Sequence, residues 1–437
     1  MTGFDDKLRY KLSTEWLARA KRVTPTASQT YSKSYRYYCE GAAPAFMAHG
    51  RGSHVWDVDG NEYVDLVLAL GPITLGYNDE AVNRAIREQL ERGIVFSQPV
   101  TLEVELAERI CGIIPSAEMV RFVKNGSDAT SAAIRLARAY TGKDIVLSCG
   151  YHGMQDWYIG SSENDLGVPA AVRDLIRTFP FNDAEALARS LNQHAGRVAA
   201  IILEPARVDA PAPGFLQQVR DLATRHGAIL IFDEVVTGFR LALGGAQAYY
   251  NVTPDLTALG KGIANGMPLS AVVGRADIME LIDEGAFVSL TFGGEALSLA
   301  AGLATINELE RRRSIEHMWR LGKMLADGTR TLIKEHGVED MAYVTGLEVM
   351  PAVFFHAYRD VAANDVLSLF QQEVIARGVL FLGVSFLCGS HSQDDIASTL
   401  RAFAHGFETL SQLKRGTPVR ELLHGETYRP VFKRNKH

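Results

Sequence analysis

In this 437-residue chain, five short apolar runs each end in residues that could do chemistry. Lys124-Asn125-Gly126-Ser127 follows MVRFV, and Gly150-Tyr151-His152-Gly153 follows IVLSC. Glu204-Pro205 follows AAIIL, Asp233-Glu234 follows AILIF, and Gly260-Lys261-Gly262 follows LTAL. In an open α/β sheet, ligands collect outside the carboxyl ends of the strands. One polar ending is uninformative, whereas a whole series in order is hard to explain by packing.

Each element also has a plainer reading. Asp233, next to a strand, needs a cationic or hydrogen-bonding partner, since an unpaired buried carboxylate is costly. A protonated pyridine nitrogen would serve, and so would a loop salt bridge or a helix cap. Lys261 lies between two glycines and could form a Schiff base with an aldehyde, or be an exposed turn. The Walker A frame is missing around it. Gly126-Ser127 opens a predicted helix, where free N–H groups suit a phosphate, and Ser127 could equally be an N-cap. Tyr151 could stack on a planar heteroaromatic ring or be buried at the strand end. Together they supply a phosphate cradle, a stacking ring, a carboxylate for a pyridinium and an amine for an aldehyde. Pyridoxal 5'-phosphate needs all four.

The elements behind these residues read as α/β. Short apolar runs at Met119–Val123, Ile145–Ser148, Val198–Leu203, Ala228–Phe232, Leu256–Leu259 and Ser270–Val273 suggest buried parallel strands. Helical periodicity marks Asp5–Arg22, Ser127–Tyr140 and about Gly214 to His226, and 297–336 is helix-rich. Alternation about Asp59-Gly60 predicts a hairpin over His54–Val67, and Thr24–Tyr38 predicts a loop. Lys414–His437 is basic and reads as a solvated tail. Apolar residues at 47% with charged residues at 22% argue against disorder, and a net charge of −6 gives no reason to bind nucleic acid or an anionic membrane. Cys39, Cys111, Cys149 and Cys388 stand alone without ligand spacing, so neither a metal site nor a disulfide framework is expected. No run approaches the ~18 apolar residues of a membrane helix, and the charged start lacks a secretory h-region, which predicts a cytoplasmic protein.

The segments HVWDVDGNEYVD, LGPITLGY, MVRFVKNGSDATSAAIRLARAYTGKD, GYHG, IILEP and LIFDEVVTGFRLALGGAQAYYNVTPDLTALGKGIANGMPLSAVVGRADIM carry a family resemblance. The chain resembles the class III, or subgroup II, aminotransferases of PLP fold type I, with glutamate-1-semialdehyde 2,1-aminomutases the nearest look-alikes. The likeness covers about His54 to Leu309. It implies a large domain with a mainly parallel, seven-stranded-type sheet (76–310) and a smaller α+β domain from both chain ends (1–75 and 311–437). It also implies that Lys261 is the Schiff-base lysine and Asp233 the partner of the pyridine nitrogen. By the same resemblance Gly126 and Ser127 hold the phosphate, Tyr151 stacks on the ring with His152 after it, and Glu204 lies near the substrate-bound cofactor. Asp209 falls beside the cofactor's oxygen. Thr291 matches a threonine that reaches the cofactor phosphate of a partner subunit, which implies a homodimer with composite sites.

The chain departs from the aminomutase pattern in several places. The Ser-Pro-Val-Arg-type segment near the start is replaced by TASQTYSKSYRYY, where Lys33 or Arg36 could take a substrate anion. TFGGEAL stands where Ser-Gly-Asn-Pro follows the threonine, and Arg207 follows the Glu-Pro motif as a further candidate for an anion. No C-terminal arginine matches the switch arginine of many relatives. The expected activity is transfer of an amino group from an amino-acid donor to an aldehyde- or keto-bearing acceptor, both small molecules. The alternatives are the intramolecular aminomutase reaction and, further off, an amino-acid racemase or a non-catalytic protein of the same fold.

Overall fold

The computed structural model describes residues 9–430. They divide into two compact units: 9–71, Leu75–Asp79 and 316–430 in one, Pro72–Thr74 and Glu80–Ile315 in the other.

The second unit is built on a seven-stranded sheet. Its strands are β4 (Met119–Val123), β5 (Ile145–Cys149), β6 (Ile176–Thr178), β7 (Val198–Leu203), β8 (Ile229–Glu234), β9 (Leu256–Leu259) and β10 (Ser270–Gly274). They lie in the order β4-β10-β9-β8-β7-β5-β6. Every residue of β7 and β8 is buried, as expected of strands covered on both faces. Side chains alternate between faces along a strand. Ala200 and Ile202 therefore join Ile229 and Ile231 under Ala129, Ala132, Ala133 and Leu136 of the Gly126–Thr141 helix. Ile201 and Leu203 join Leu230 and Phe232 under Phe215, Val219 and Leu222 of the Phe215–His226 helix.

Two strands differ from expectation. The Ser270 run is not parallel: β10 pairs antiparallel with both β9 and β4. Only a short 3-10 turn, Lys261–Ala264, lies between β9 and β10, and a parallel return needs a longer crossover. β6 has three residues and is too short for its apolar pattern to register.

The first unit holds a four-stranded sheet, β1 (Met47–Arg51), β2 (His54–Asp57), β3 (Glu62–Asp65) and β13 (Val379–Leu380), and a two-stranded one, β11 (Ala342–Thr345) with β12 (Ala352–Phe355). The predicted hairpin is β2 and β3, antiparallel around Asp59-Gly60. The Ala363–Ala376 and Gln393–Lys414 helices pack through Phe370, Phe403 and Phe407. The first helix runs Lys11–Val23, and residues 5–8 of the expected element lie outside the described residues. Thr24–Tyr38 is irregular, with three 3-10 turns. The basic C-terminal stretch is not a solvated tail up to residue 430. Leu422 is buried, Glu426 bridges to Glu40, and Tyr428 packs edge-on against Tyr37. These anchors are hidden among the charges of that segment. Among the described residues, no helix is long and apolar enough to cross a membrane.

The central strands carry the second unit. Ile201 is fully buried on β7, so Ile201→Ala should cost about 2–5 kcal/mol. A thermal melt followed by circular dichroism reads this as a clear fall in Tm; an unchanged Tm would contradict the packing described.

Candidate active site

Strand geometry brings the expected residues together. β8 neighbours β7 on one side and β9 on the other, so Glu204, Asp233 and Lys261 emerge side by side at one sheet edge. Asp233 is the fifth residue of β8 rather than the first after it, and is almost wholly buried.

Its carboxylate is held from two directions. Oδ2 lies 2.8 Å from His152 Nδ1, and Oδ1 accepts the Val235 N–H at 3.1 Å. A buried carboxylate needs such partners. His152 is buried too, and its Nε2 has no hydrogen-bond partner among the described residues. The His152 ring stacks on Trp157 at 6.3 Å, and Trp157 donates to Ser131 Oγ at 2.9 Å. The Thr130 hydroxyl donates to the His152 carbonyl at 2.8 Å. The imidazole is thus fixed by the helix that begins at Gly126.

That helix start is the second component. The first intrahelical bonds are donated by Asp128 and Ala129 to the Asn125 carbonyl, so the N–H groups of Gly126 and Ser127 point beyond the helix end. Asn125 N–H donates to Asp128 Oδ2 at 2.9 Å, so Ser127 is not the N-cap. Ser127 Oγ accepts the Met154 N–H at 3.2 Å. Gly153 crosses directly over Ser127 with φ +108°, and a Cβ there would collide with the Ser127 side chain. Only glycine allows this approach.

Lys261 sits in the tight turn after β9, with φ +41°. Such a backbone is strained for a residue with a Cβ and marks a site whose surroundings impose it. Thr74 supplies part of that constraint, donating Oγ1–H to the Gly262 carbonyl at 3.2 Å and N–H to Asn265 Oδ1 at 2.9 Å. Burial lowers the Lys261 pKa from its ordinary value; Glu204 and Asp233 pull it up, Arg240 pushes it further down, and burial wins.

Glu204 accepts the Tyr151 N–H at 2.9 Å through Oε2. The Tyr151 ring is about half exposed and meets Tyr158 edge-on at 5.6 Å. Arg207 Nε lies 3.6 Å from the same Glu204 oxygen. Asp209 is exposed and its carbonyl accepts the Arg207 N–H at 3.1 Å. Thr291 lies in an exposed turn. Lys33 and Arg36 belong to the other unit. There Lys33 lines a cavity of about 580 Å³ with Asp65 and Tyr77, and Arg36 Nε donates to the Tyr35 hydroxyl at 3.4 Å.

Three groups here were not singled out as site residues from the sequence. Glu234, fully buried behind Asp233, accepts from Thr237 Oγ1, the Ala246 and Gln247 N–H groups and Gln247 Nε2. Burial pushes its pKa up. Arg240 is buried in the turn that Glu234 organises. Lys124 pairs with Glu295 at 3.0 Å, and Glu295 caps the Ala296–Arg311 helix through the Leu297 and Ser298 N–H groups. The doublet Asp-Glu after an apolar run was visible; that the second acid is the structural one was not.

This arrangement, an open α/β sheet with a partly buried lysine, an acid–imidazole pair and a helix terminus at one edge, defines a PLP-dependent enzyme of fold type I. A family model described as aminotransferase class-III matches residues 37–386, and the chain belongs to that family. Relatives named glutamate-1-semialdehyde 2,1-aminomutase from Desulforamulus reducens and Methanothrix thermoacetophila are 36% and 38% identical, over 92% and 91% of this chain and 99% and 97% of theirs. A 3-aminobutyryl-CoA aminotransferase from Cloacimonas acidaminovorans is 34% identical over 94% of this chain and 99% of its own. The solved FumI protein of Sphingopyxis sp. MTA144, in its PLP internal aldimine form, superposes with a TM-score of 0.86 at 28% identity, covering 94% of this chain and 99% of that one. An omega-transaminase from Sphaerobacter thermophilus gives 0.81 at 29% identity, covering 91% and 97%. Pyridoxal 5'-phosphate is the cofactor.

Glu234→Ala would leave four donors without their acceptor in a dry interior. The expected loss is roughly 3 kcal/mol or more, with Glu234→Gln losing less. Thermal melts of both variants check this; a melt of Glu234→Ala within about 1 °C of the native protein would contradict it.

Proposed function

We propose that this protein is an aminotransferase that moves an amino group from an amino-acid donor to an aldehyde- or keto-bearing acceptor, with Lys261 as the lysine that carries the cofactor. The observation behind this is the desolvated, pKa-lowered amine of Lys261, in the turn after β9, at the same sheet end as the buried Asp233–His152 pair. When bound, pyridoxal 5'-phosphate supplies an aldehyde for an amine and a ring that withdraws electrons from the substrate carbon.

The chain's own groups fit it. The glycine-lined crossing at Gly153 and the free N–H groups of Gly126 and Ser127 would hold the phosphate. Asp233 would hold the proton on the pyridine nitrogen, and the His152 Nδ1–H bond keeps that carboxylate oriented. Tyr151 would cover one ring face. Lys261 Nζ, neutral over a wider pH range than an ordinary lysine, would take the proton from the substrate carbon and return it elsewhere. Glu204 would stand near the bound substrate, and Asp209 beside the cofactor's oxygen.

A homodimer belongs to the same proposal. Leu90, Ile94, Val95, Phe96, Val104, Leu290 and Phe292 all expose apolar surface on the second unit. Such a concentration suits a subunit interface. Thr291, between two of them, would then reach the partner's cofactor phosphate. The aminomutase reading is the second one, favoured by the relatives of that name. Incubation with glutamate-1-semialdehyde alone decides between them. 5-Aminolevulinate formed without a donor favours the mutase, whereas loss of the cofactor's visible absorbance on adding amino acids favours the aminotransferase.

Lys261→Ala should fold normally and lose about a thousandfold or more in turnover. Covalent fixation of the cofactor to that variant's active site by borohydride would refute the assignment. The pH dependence has a definite sign. The neutral amine gains as pH rises, and a lowered pKa brings the plateau in before the 10.5 of a free lysine. The rate of cofactor capture by apoenzyme should therefore level off below that pH; a rise continuing through it would contradict the lowered pKa.

A further inference from the structure

Arg207 touches the buried Cys149 thiol and otherwise has no strong structural partner. It lies on the turn that leaves β7, three residues after Glu204. Its Nε is 3.6 Å from Glu204 Oε2, too long for a hydrogen bond, and that oxygen already accepts the Tyr151 N–H. Glu204 is its carboxylate neighbour at ion-pair range. Its guanidinium passes 6.0 Å from the Phe181 ring, and its side chain is 29% exposed. A guanidinium offers five N–H donors in a planar fork that matches a carboxylate. Here the fork is partly desolvated, oriented by a ring, and occupied only by the weakly accepting Cys149 thiol and a loose carboxylate pair.

A loose pair of this kind stabilises a fold by roughly 0–1 kcal/mol, too little to account for a cation in this place. Electrostatics supplies a better account. Glu204 acts on Lys261 and would repel an anionic substrate approaching the amine. Arg207 offsets that charge and adds the donors that the substrate's anion requires.

We propose that Arg207 is the specificity-determining residue that receives the carboxylate of the amino-acid substrate, with Glu204 holding its place in the free enzyme. The inference rests on the aminotransferase reading above and adds to it the group that reads the substrate.

The test pairs each amino acid of a donor screen with its carboxamide, on native holoenzyme and on Arg207→Ala and Arg207→Lys. The visible spectrum follows conversion of the cofactor. Arg207→Ala should raise KM for the carboxylates roughly 10- to 100-fold, the worth of a lost charge-assisted pair. Its kcat should stay within about threefold, and the carboxamides should be unaffected. Arg207→Lys should recover part of the loss, since it keeps the charge without the fork. Unchanged cofactor absorbance and Tm exclude misfolding. Equal losses on both members of each pair, or no loss on the carboxylates, overturn the assignment. Should the native enzyme convert no donor at all, the aminotransferase reading fails, and calorimetric titration of holoenzyme with glutarate and glutaramide decides on Arg207 alone. Glutarate binding that weakens in Arg207→Ala supports it. Glutarate bound no better than glutaramide, or equally by both proteins, overturns it.

Discussion

Charge held in a nearly dry place is the constraint on which the second unit depends. Asp233, Glu234, His152 and Arg240 are all buried at or behind the carboxyl edge of one sheet. Removing any such group from water is expensive unless a partner replaces the lost hydration. The surrounding structure can be read as a supply of those partners. His152 serves Asp233, and a ring of N–H and hydroxyl donors serves Glu234. Lys261 adapts differently: its amine is shifted toward the neutral form, which costs least to bury.

The partners come from distant parts of the chain, and this is what couples site to fold. His152 follows β5, yet its ring is set by Trp157 and its carbonyl by Thr130 of the Gly126–Thr141 helix. Ser127 at the head of that helix is in turn crossed by Gly153. A shift of the helix by a fraction of an ångström would reach both the imidazole and the phosphate-sized terminus. The alanine-rich face of the helix, packed on Ala200 and Ile202, limits such shifts because close-packed interiors deform little.

Much of this was legible in the sequence because the signals were local. A continuous apolar run followed by a polar residue announces a strand and its carboxyl end together. Hence Asp233, Glu204 and Lys261 could be placed in one row before any coordinates. What stayed hidden depended on distant contacts. The antiparallel course of β10 follows from a short connection, which its apolar run does not encode. Leu422 and Tyr428 looked like part of a charged tail because their partners lie far along the chain, Gln372 for Leu422 and Tyr37 for Tyr428. Nothing local distinguishes Glu234 from Asp233, either. They point to opposite faces of the sheet only because successive strand residues alternate.

On the proposed function, that same distinction separates chemistry from selectivity. Lys261, Asp233 and Gly126 occupy positions dictated by strand order and a helix start, so any sequence with this topology can present them. Arg207 and Asp209 lie instead in the turn after Glu-Pro, and Lys33 and Arg36 in an irregular segment of the other unit. Turns tolerate exchange because few backbone bonds depend on them. A fold built this way can keep one reaction while its substrate changes. The replaced residues in this chain fall mostly in such turns, at Arg207 and at Gly293 to Glu295. Even there physics limits the freedom. Glu295 caps a helix and pairs with Lys124, so a change that looks like a substrate substitution also had to satisfy a partly buried cation beside the helix that carries Gly126.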